Sequence, residues 1–356
     1  MKGRYGSRKG QAVTTRDIAE HTGLSKMTVS RVLNGFPHVS ESTRRKVMDA
    51  VRDLGFRPNV LAKRFFTGKT RLIGVMVPLE YMFSSFYFKE LFQGILAVAE
   101  EEGYDILVHD STSQRRAAYD KCLDLVKGKL VEGLLISAPL SNEDYPGRLA
   151  GEEVPLVLVG ESVCGDQVSR VAIPNRASSA DAVRRLVGAG HRRVAMLAYS
   201  AEHVESQERV AGYRDALEAA GLRFDPALVR PALYNRRVAF RQVQALLGEA
   251  RDVTAIFAAN ADMAVGALDA LRTLGLRIPQ DISVVAFDDC AEMEENDPPI
   301  SAVRQFPHKV GYAACLMLLG RLAGKGSATS TQCKIVETEF VERASIGPAP
   351  ARRGST

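Results

Sequence analysis

Seven short runs rich in Val, Ile and Leu, separated by amphipathic helical stretches, constrain the fold of this chain more than any other feature. They are LIGVMVP (72–78), DILVHD (105–110), GLLISAP (133–139), PLVLVGE (155–161), RVAMLAYS (193–200), AIFAAN (255–260) and ISVVAFDD (282–289). Between them, Phe88–Gly103, Ala177–Gly190 and Glu208–Gly221 read as amphipathic helices. Strands that are apolar throughout have both faces covered, and strands alternating with helices pair in parallel. Because about 270 residues hold at least seven such units, two doubly wound lobes are expected rather than one. In such sheets ligands sit beyond the carboxyl ends of the strands. The polar and aromatic residues placed there are Tyr81, Glu161, Asn260 and Asp288.

The segment before this pattern differs in charge. Residues 1–71 hold 16 Lys and Arg against 5 Asp and Glu, whereas residues 72–356 hold 31 against 37, so the net charge of +5 hides a basic front and an acidic body. A basic segment of this size fits a nucleic-acid binder, because each neutralised phosphate releases counterions. On charge alone it fits a solvated basic surface equally well. Local pattern separates the two. Ile18 and Ala19 open an apolar helical face, Gly23 permits a tight turn, and Leu24, Val29 and Val32 supply the inward positions of a second helix capped by Ser25. The Ala19, Gly23, Val29 spacing lets two helices cross closely, as in a helix-turn-helix. Lys26, Met27, Ser30 and Arg31 are then left facing outward, where Lys or Arg can pair with guanine and an apolar tip can meet a thymine methyl. A third helix is expected from an N-cap at Ser40, through Val47, Ala50, Val51 and Leu54, to Gly55.

RPNVLAKRFFTGKT (57–70) joins the two parts. Asn59–Phe66 has room for about two helical turns after Pro58, too short to persist alone in water, so it is expected to fold only when something else supports it, as a switch would. Gly68–Thr70 is not a phosphate loop: Lys63 stands where the first glycine is required, and no strand precedes it. Enzyme signatures are missing after the strands, and the six histidines have no metal-ligand spacing, with His191 reading as structural. Binding is therefore expected rather than catalysis, with no cofactor and no metal. Five scattered cysteines read as buried reduced thiols. No apolar run is long enough to span a membrane and MKGRYGSRKGQ lacks an apolar signal region, so the expected location is the cytoplasm.

With TTRDIAEHTGLSKMTVSRVLNG, RPNVLAKRFF, SQERVAGYRDAL, FAANADMAVGAL, RIPQDISVVAFDD and PPISAVRQ in this order, the chain resembles the lactose-repressor family of bacterial transcription regulators over nearly its whole length. The resemblance implies an all-α helix-turn-helix headpiece and an α/β core of two doubly wound parallel-sheet lobes, related to type I periplasmic sugar-binding proteins. The expected divisions are a basic disordered tail (1–11), the headpiece (12–57), a hinge helix and linker (58–71), the core (72–345) and a flexible tail (346–356). Within the core, lobe 1 takes about 72–173 and 305–333, and lobe 2 about 174–304 and 334–345.

The same resemblance implies a homodimeric repressor on near-palindromic operator DNA, controlled by a small effector in the cleft. Lys26, Met27 and Arg31 match positions that read bases. Thr15, Ser25, Ser30 and Asn34 match positions that grip phosphates, and Thr28 lies in the same DNA-binding stretch. In the hinge, Asn59 is a further DNA-binding position, Ala62 and Lys63 flank Phe65 in the minor groove, and Phe65 replaces the usual wedging leucine. Effector contacts fall on Arg209, Asn260 and Asp288, with Tyr234 as a stacking aromatic, Gln305 near the lobe crossover, and Tyr81, Phe86, Glu161 and Glu205 around the cleft. The usual N-D-x-M-A departs here to Asn260-Ala261-Asp262-Met263-Ala264. A carbohydrate suits this donor and acceptor set best. The competing expectation is a cytoplasmic sugar-binding or sugar-processing protein whose basic N-terminus does not read DNA specifically.

Overall fold

The computed structural model describes residues 13–56, 69–79, 85–111, 117–137, 144–161, 164–324 and 331–350. Two compact units result, one ending at Thr70 and one beginning at Arg71. The hinge positions Asn59, Ala62, Lys63 and Phe65, and the cleft position Tyr81, lie outside the described residues.

The first unit holds α1 (Thr15–Thr22), α2 (Lys26–Leu33) and α3 (Glu41–Asp53). Each starts where a side chain satisfies its free N–H groups. The Asp17 carboxylate accepts from both the backbone N and the hydroxyl of Thr14 at 2.7 Å. Ser25 Oγ accepts from Thr28 N at 3.1 Å, and Ser40 Oγ accepts from Thr43 N at 3.3 Å. Gly23 ends α1 in the left-handed region at φ 64°, so the chain can turn at once into α2. Ile18, Ala19, Val29, Val32, Val47 and Ala50 close into one small core, as the apolar spacing predicts.

The second unit begins with β1 (Leu72–Val77), α4 (Phe86–Glu101), β2 (Asp105–Asp110), α5 (Ala117–Lys127), β3 (Gly133–Ser137), α6 (Tyr145–Gly151), β4 (Leu156–Val159) and β5 (Arg170–Ala172). It continues through α7 (Asn175–Gly188), β6 (Val194–Ala198), α8 (Val204–Ala219), β7 (Val229–Pro231), α9 (Arg236–Glu249), β8 (Ala255–Ala258), α10 (Ala261–Thr273), β9 (Ser283–Phe287), α11 (Ala291–Glu294) and β10 (Ser301–Arg304). Last come α12 (Pro307–Leu322), β11 (Cys333–Ile335) and β12 (Glu339–Val341). The sheets run β11-β5-β4-β3-β1-β2 and β12-β10-β9-β8-β6-β7. Every pairing is parallel except β12 on β10. In each sheet the first strand lies between the second and the third, the arrangement that opens a crevice at the carboxyl ends.

All seven expected strands form. Five more, β5, β7, β10, β11 and β12, have three or four residues each, too few for an apolar run to show. The expected helices start two to four residues early, at Phe86, Asn175 and Val204. The chain passes between lobes after Ala172, after Arg304 and after Ile335. The last passage follows the expected boundary at 333/334, because Lys334 and Ile335 still pair with Val171 and Ala172.

Two expectations need correction. The tail expected to be flexible from Ile346 is held over its first five residues: Gly347 N donates to Ser283 Oγ at 3.1 Å, and Ala349 N to Ala189 O at 2.9 Å. Buried His191 completes this clasp, with Nδ1 2.9 Å from Thr254 Oγ1 and Nε2 3.1 Å from Gly347 O, and burial lowers its pKa. Of the cysteines, Cys122, Cys290 and Cys315 are buried and Cys164 is half-buried, but Cys333 is exposed because it opens an edge strand.

Candidate DNA-binding face and interlobe cleft

Helix α2 carries no acidic residue. Burial of Val29 and Val32 leaves Lys26, Met27, Ser30 and Arg31 exposed on one face, with Met27 at 65% exposure. Met27 thus stands on an exposed face that also carries the two cations Lys26 and Arg31. Thr15 is exposed at the first position of α1. The remaining positions are partly occupied within the unit: Thr28 is half-buried with its hydroxyl 2.9 Å from Ser25 Oγ, and Asn34 Nδ2 donates to Ser30 Oγ at 3.2 Å. Ser25 and Thr28 thus fix the start of α2, and the Lys26 and Met27 side chains leave from its first turn.

In the second unit one cavity is lined from both lobes: Phe86 and Tyr87 at the start of α4 meet Asn260, Asp262, Asp288 and Cys290. Asn260 follows β8 and caps α10, its Oδ1 accepting from Met263 N at 2.8 Å. Its side chain also hydrogen-bonds the Asp262 carboxyl, so cap and cavity wall are tied together. Asp288 follows β9 and has φ 84°, a left-handed conformation that a residue with a Cβ rarely adopts. Its Oδ2 accepts from Ala261 N at 3.2 Å, and its Oδ1 accepts from Gln305 Nε2. Burial raises its pKa to about 6 despite the opposing pull of Arg209 and these two donors.

Arg209, 5% exposed on α8, is held by a buried hydrogen-bond set behind Asp288. Its Nε donates to Asn175 Oδ1 at 2.8 Å, its Nη1 to Ala259 O, and its Nη2 to Gln305 Oε1 at 3.4 Å, while the guanidinium carbon lies 3.7 Å from the Phe287 ring centroid. Gln305, at the second passage between lobes, therefore links Arg209 to Asp288. Tyr234 stacks on Tyr199 with ring centroids 4.0 Å apart and planes 7° from parallel. Burial pushes the Tyr234 hydroxyl up to about 12, against the pull of Arg209. Glu205 Oε1 accepts from Glu161 N at 3.2 Å, a bond between lobes, and burial raises the pKa of both carboxyls. Gly160 leaves room for it: a Cβ there would stand 2.2 Å from Glu205 Oε1. Glu205, Arg209, Asp288 and Tyr234 all act on the Tyr87 hydroxyl, whose pKa is raised chiefly by burial.

The structure thus brings together Phe86, Glu161, Glu205, Arg209, Tyr234, Asn260, Asp288 and Gln305. Sequence reasoning missed Tyr87, Tyr199, Asn175, Asp262 as a cavity wall, and Cys290. Tyr87 adjoins the chosen Phe86, and Tyr199 follows β6 as Asn260 follows β8, so the strand-end rule could have found it. Asn175 had no such signal, because its partner lies 34 residues away. Among the described residues no group of three or more His, Cys, Asp or Glu is placed to hold a metal, and no helix is long and apolar enough to cross a membrane.

Known proteins resemble both units. Residues 14–59 match the family model of bacterial regulatory proteins, lacI family, and residues 183–346 that of a periplasmic binding protein-like domain. The transcriptional regulator CelR of Thermobifida fusca is 31% identical over 93% of this chain and 98% of its own length. Catabolite control protein A of Priestia megaterium is 30% identical over 90% of this chain and 95% of its own. Among solved structures, the lac repressor dimer bound to operator and the anti-inducer ONPF aligns with a TM-score of 0.82 at 28% identity, covering 94% of this chain and 99% of that one. The CelR–cellobiose complex aligns with a TM-score of 0.71 at 30% identity and the same coverage. An exposed basic helix on one unit and a polar two-lobed cleft on the other, in a chain that aligns over nine-tenths of its length with such regulators, make it a DNA-binding transcription regulator of the lacI family.

Proposed function

We propose that the protein is a cytoplasmic homodimeric repressor without enzymatic activity, and that a carbohydrate in the interlobe cleft sets its affinity for a near-palindromic operator. The observation that carries this reading is the linked Arg209–Gln305–Asp288 chain, whose charged ends act on Tyr234 of the stacked Tyr199–Tyr234 pair. Fixed polar groups next to a flat aromatic face match a ring that carries hydroxyls. Complexes of CelR with cellobiose and of the lac repressor dimer with its operator support both halves. In this reading Lys26, Met27 and Arg31 read bases, Thr15, Ser25, Thr28, Ser30 and Asn34 order the phosphate contacts, and the segment around 58–71 connects them to the lobes.

Arg31→Ala is expected to weaken specific operator binding by ~1–3 kcal/mol, the range for losing a bidentate base contact, with little change on random DNA. A titration at fixed salt checks it, and equal losses on both DNAs would make Arg31 a phosphate contact instead. Cleft binding should depend on pH through Asp288. A ligand hydroxyl donates to its carboxylate, so affinity is full above pH 6 and falls by up to about tenfold per unit below it. Stability runs the opposite way. Because the folded pKa is raised, the favourable contribution of Asp288 is complete below its unfolded value of about 4 and is lost as pH rises through 6. Calorimetric titration of cellobiose between pH 5 and 8 tests the binding half; a flat profile in the parent, with affinity unchanged in Asp288→Asn, would remove Asp288 from the contacts.

A further inference from the structure

Asp289 is not among the residues that line the cavity, yet it is one of the most constrained side chains beside it. The β9–β10 ladder ends where Asp288 N donates to Val303 O at 3.0 Å. Beyond that bond two side-chain pairs join the same segments, crossed relative to the register of the ladder. Gln305 donates to Asp288, and Arg304 donates to Asp289 Oδ2 from Nη2 at 2.6 Å and from Nε at 3.0 Å. Arg343, just past β12, adds a bond from Nη1 to Asp289 Oδ1 at 2.6 Å and a second to Ile300 O at 2.9 Å. The Asp289 side chain is 5% exposed and that of Arg343 is 13% exposed. A carboxylate so far from water persists only when charge-assisted bonds replace its hydration, and here two guanidinium groups supply them.

The backbone around this clamp is held in unfavourable conformations. Asp288 has φ 84° and Phe306 has φ 54°, both in the left-handed region. Residues with a Cβ stay there only when their surroundings fix them. Asp288 precedes one partner of the clamp, and Phe306 follows Arg304 and Gln305. The cross-linked pair Asp289–Arg304 therefore sits between two strained positions, and its neighbours Asp288 and Gln305 form the polar pair that reaches Arg209.

We infer that Asp289 is a positioning residue for the cleft: held by Arg304 and Arg343, it fixes the Asp288 carboxylate and the Gln305 amide in the arrangement that receives ligand. This rests on the reading of the cleft as a carbohydrate site. The bond from Ala261 N to Asp288 Oδ2 gives a readout that needs no ligand.

The test uses the full chain with Asp289→Asn, Arg304→Met and Arg304→Lys, following Ala261 amide exchange, cellobiose affinity and melting temperature. Asp289→Asn and Arg304→Met are expected to speed Ala261 exchange about tenfold or more and to weaken cellobiose binding about tenfold. Arg304→Lys keeps a cation at the clamp and is expected to restore both to within about twofold. A lower melting temperature with Ala261 exchange and cellobiose affinity unchanged would overturn the inference, reducing Asp289 to a staple for β12. Equal losses in Arg304→Lys and Arg304→Met would overturn it too. Should Asp289→Asn fail to fold, the Arg304 pair decides alone, since that side chain is 39% exposed. If the unmodified chain takes no cellobiose, that probe is not its carbohydrate, while Ala261 exchange still decides the role of Asp289.

Discussion

Arg209→Met is expected to abolish carbohydrate binding and to cost about 2–4 kcal/mol of stability, the largest effect of any single change in the cleft. Methionine fills much of the same volume over the Phe287 ring, so packing is nearly conserved and the loss is electrostatic. Asn175 Oδ1 and Ala259 O lose their donor, and Gln305 loses its anchor. Each buried acceptor left without a partner costs ~1–3 kcal/mol. Asp288 also loses the one cation that holds its pKa down, so its titration moves above 6. The carboxyl is then partly neutral near pH 7 and a poorer acceptor for a hydroxyl. Denaturant unfolding measures the stability change, and calorimetry with cellobiose the loss of binding. A variant that binds cellobiose as the parent does would remove Arg209 from the site and leave it a purely structural cation.

A second large effect is expected far from the cleft, at Gly311. Helices α4 and α12 cross so closely that a Cβ on Gly311 would stand 2.0 Å from Leu91 O, and one on Gly94 would stand 2.1 Å from His308 O. Both obstacles are backbone, which cannot turn aside as a side chain can. Gly311→Ala is expected to destabilise the core by ~2–3 kcal/mol, although alanine favours a helix over glycine by roughly 0.5–1 kcal/mol. Gly320, on the same helix, has nothing within 4 Å of its would-be Cβ. Gly320→Ala should therefore show the propensity gain alone, neutral or slightly stabilising. Melting curves of the two variants side by side separate crowding from propensity, and similar shifts in both would mean the helices are not in close contact at Gly311.

The features legible in the sequence were those whose cause is local. Ser25 and Ser40 cap helices through the residue three positions on, and Gly23 and Gly55 sit in the left-handed turns their type favours. Val29 and Val32 are buried because a helical period puts them there. The long apolar runs announced seven of the twelve described strands, but β5, β7, β10, β11 and β12 are defined by their neighbours and not by their own pattern. The same division holds in the cleft. Asn260 and Asp288 follow strands and were visible by that rule, as Tyr199 should have been. The chain from Asn175 through Arg209 to Gln305 spans separations of 34 and 96 residues, which only folding brings together. The clasp of His191 and Ser283 on Gly347 was hidden for the same reason, and a Gly/Pro-rich tail read as free.

The most direct test of the account is reciprocal coupling between the two sites. The protein is titrated onto DNA from its own promoter region at fixed salt, with and without saturating cellobiose, and cellobiose affinity is measured with and without saturating DNA. Control of operator affinity through the cleft predicts that cellobiose changes operator affinity by a factor of about 5–150 in one direction, and that the DNA changes cellobiose affinity by the same factor. Cellobiose that occupies the cleft while operator affinity stays the same would contradict it.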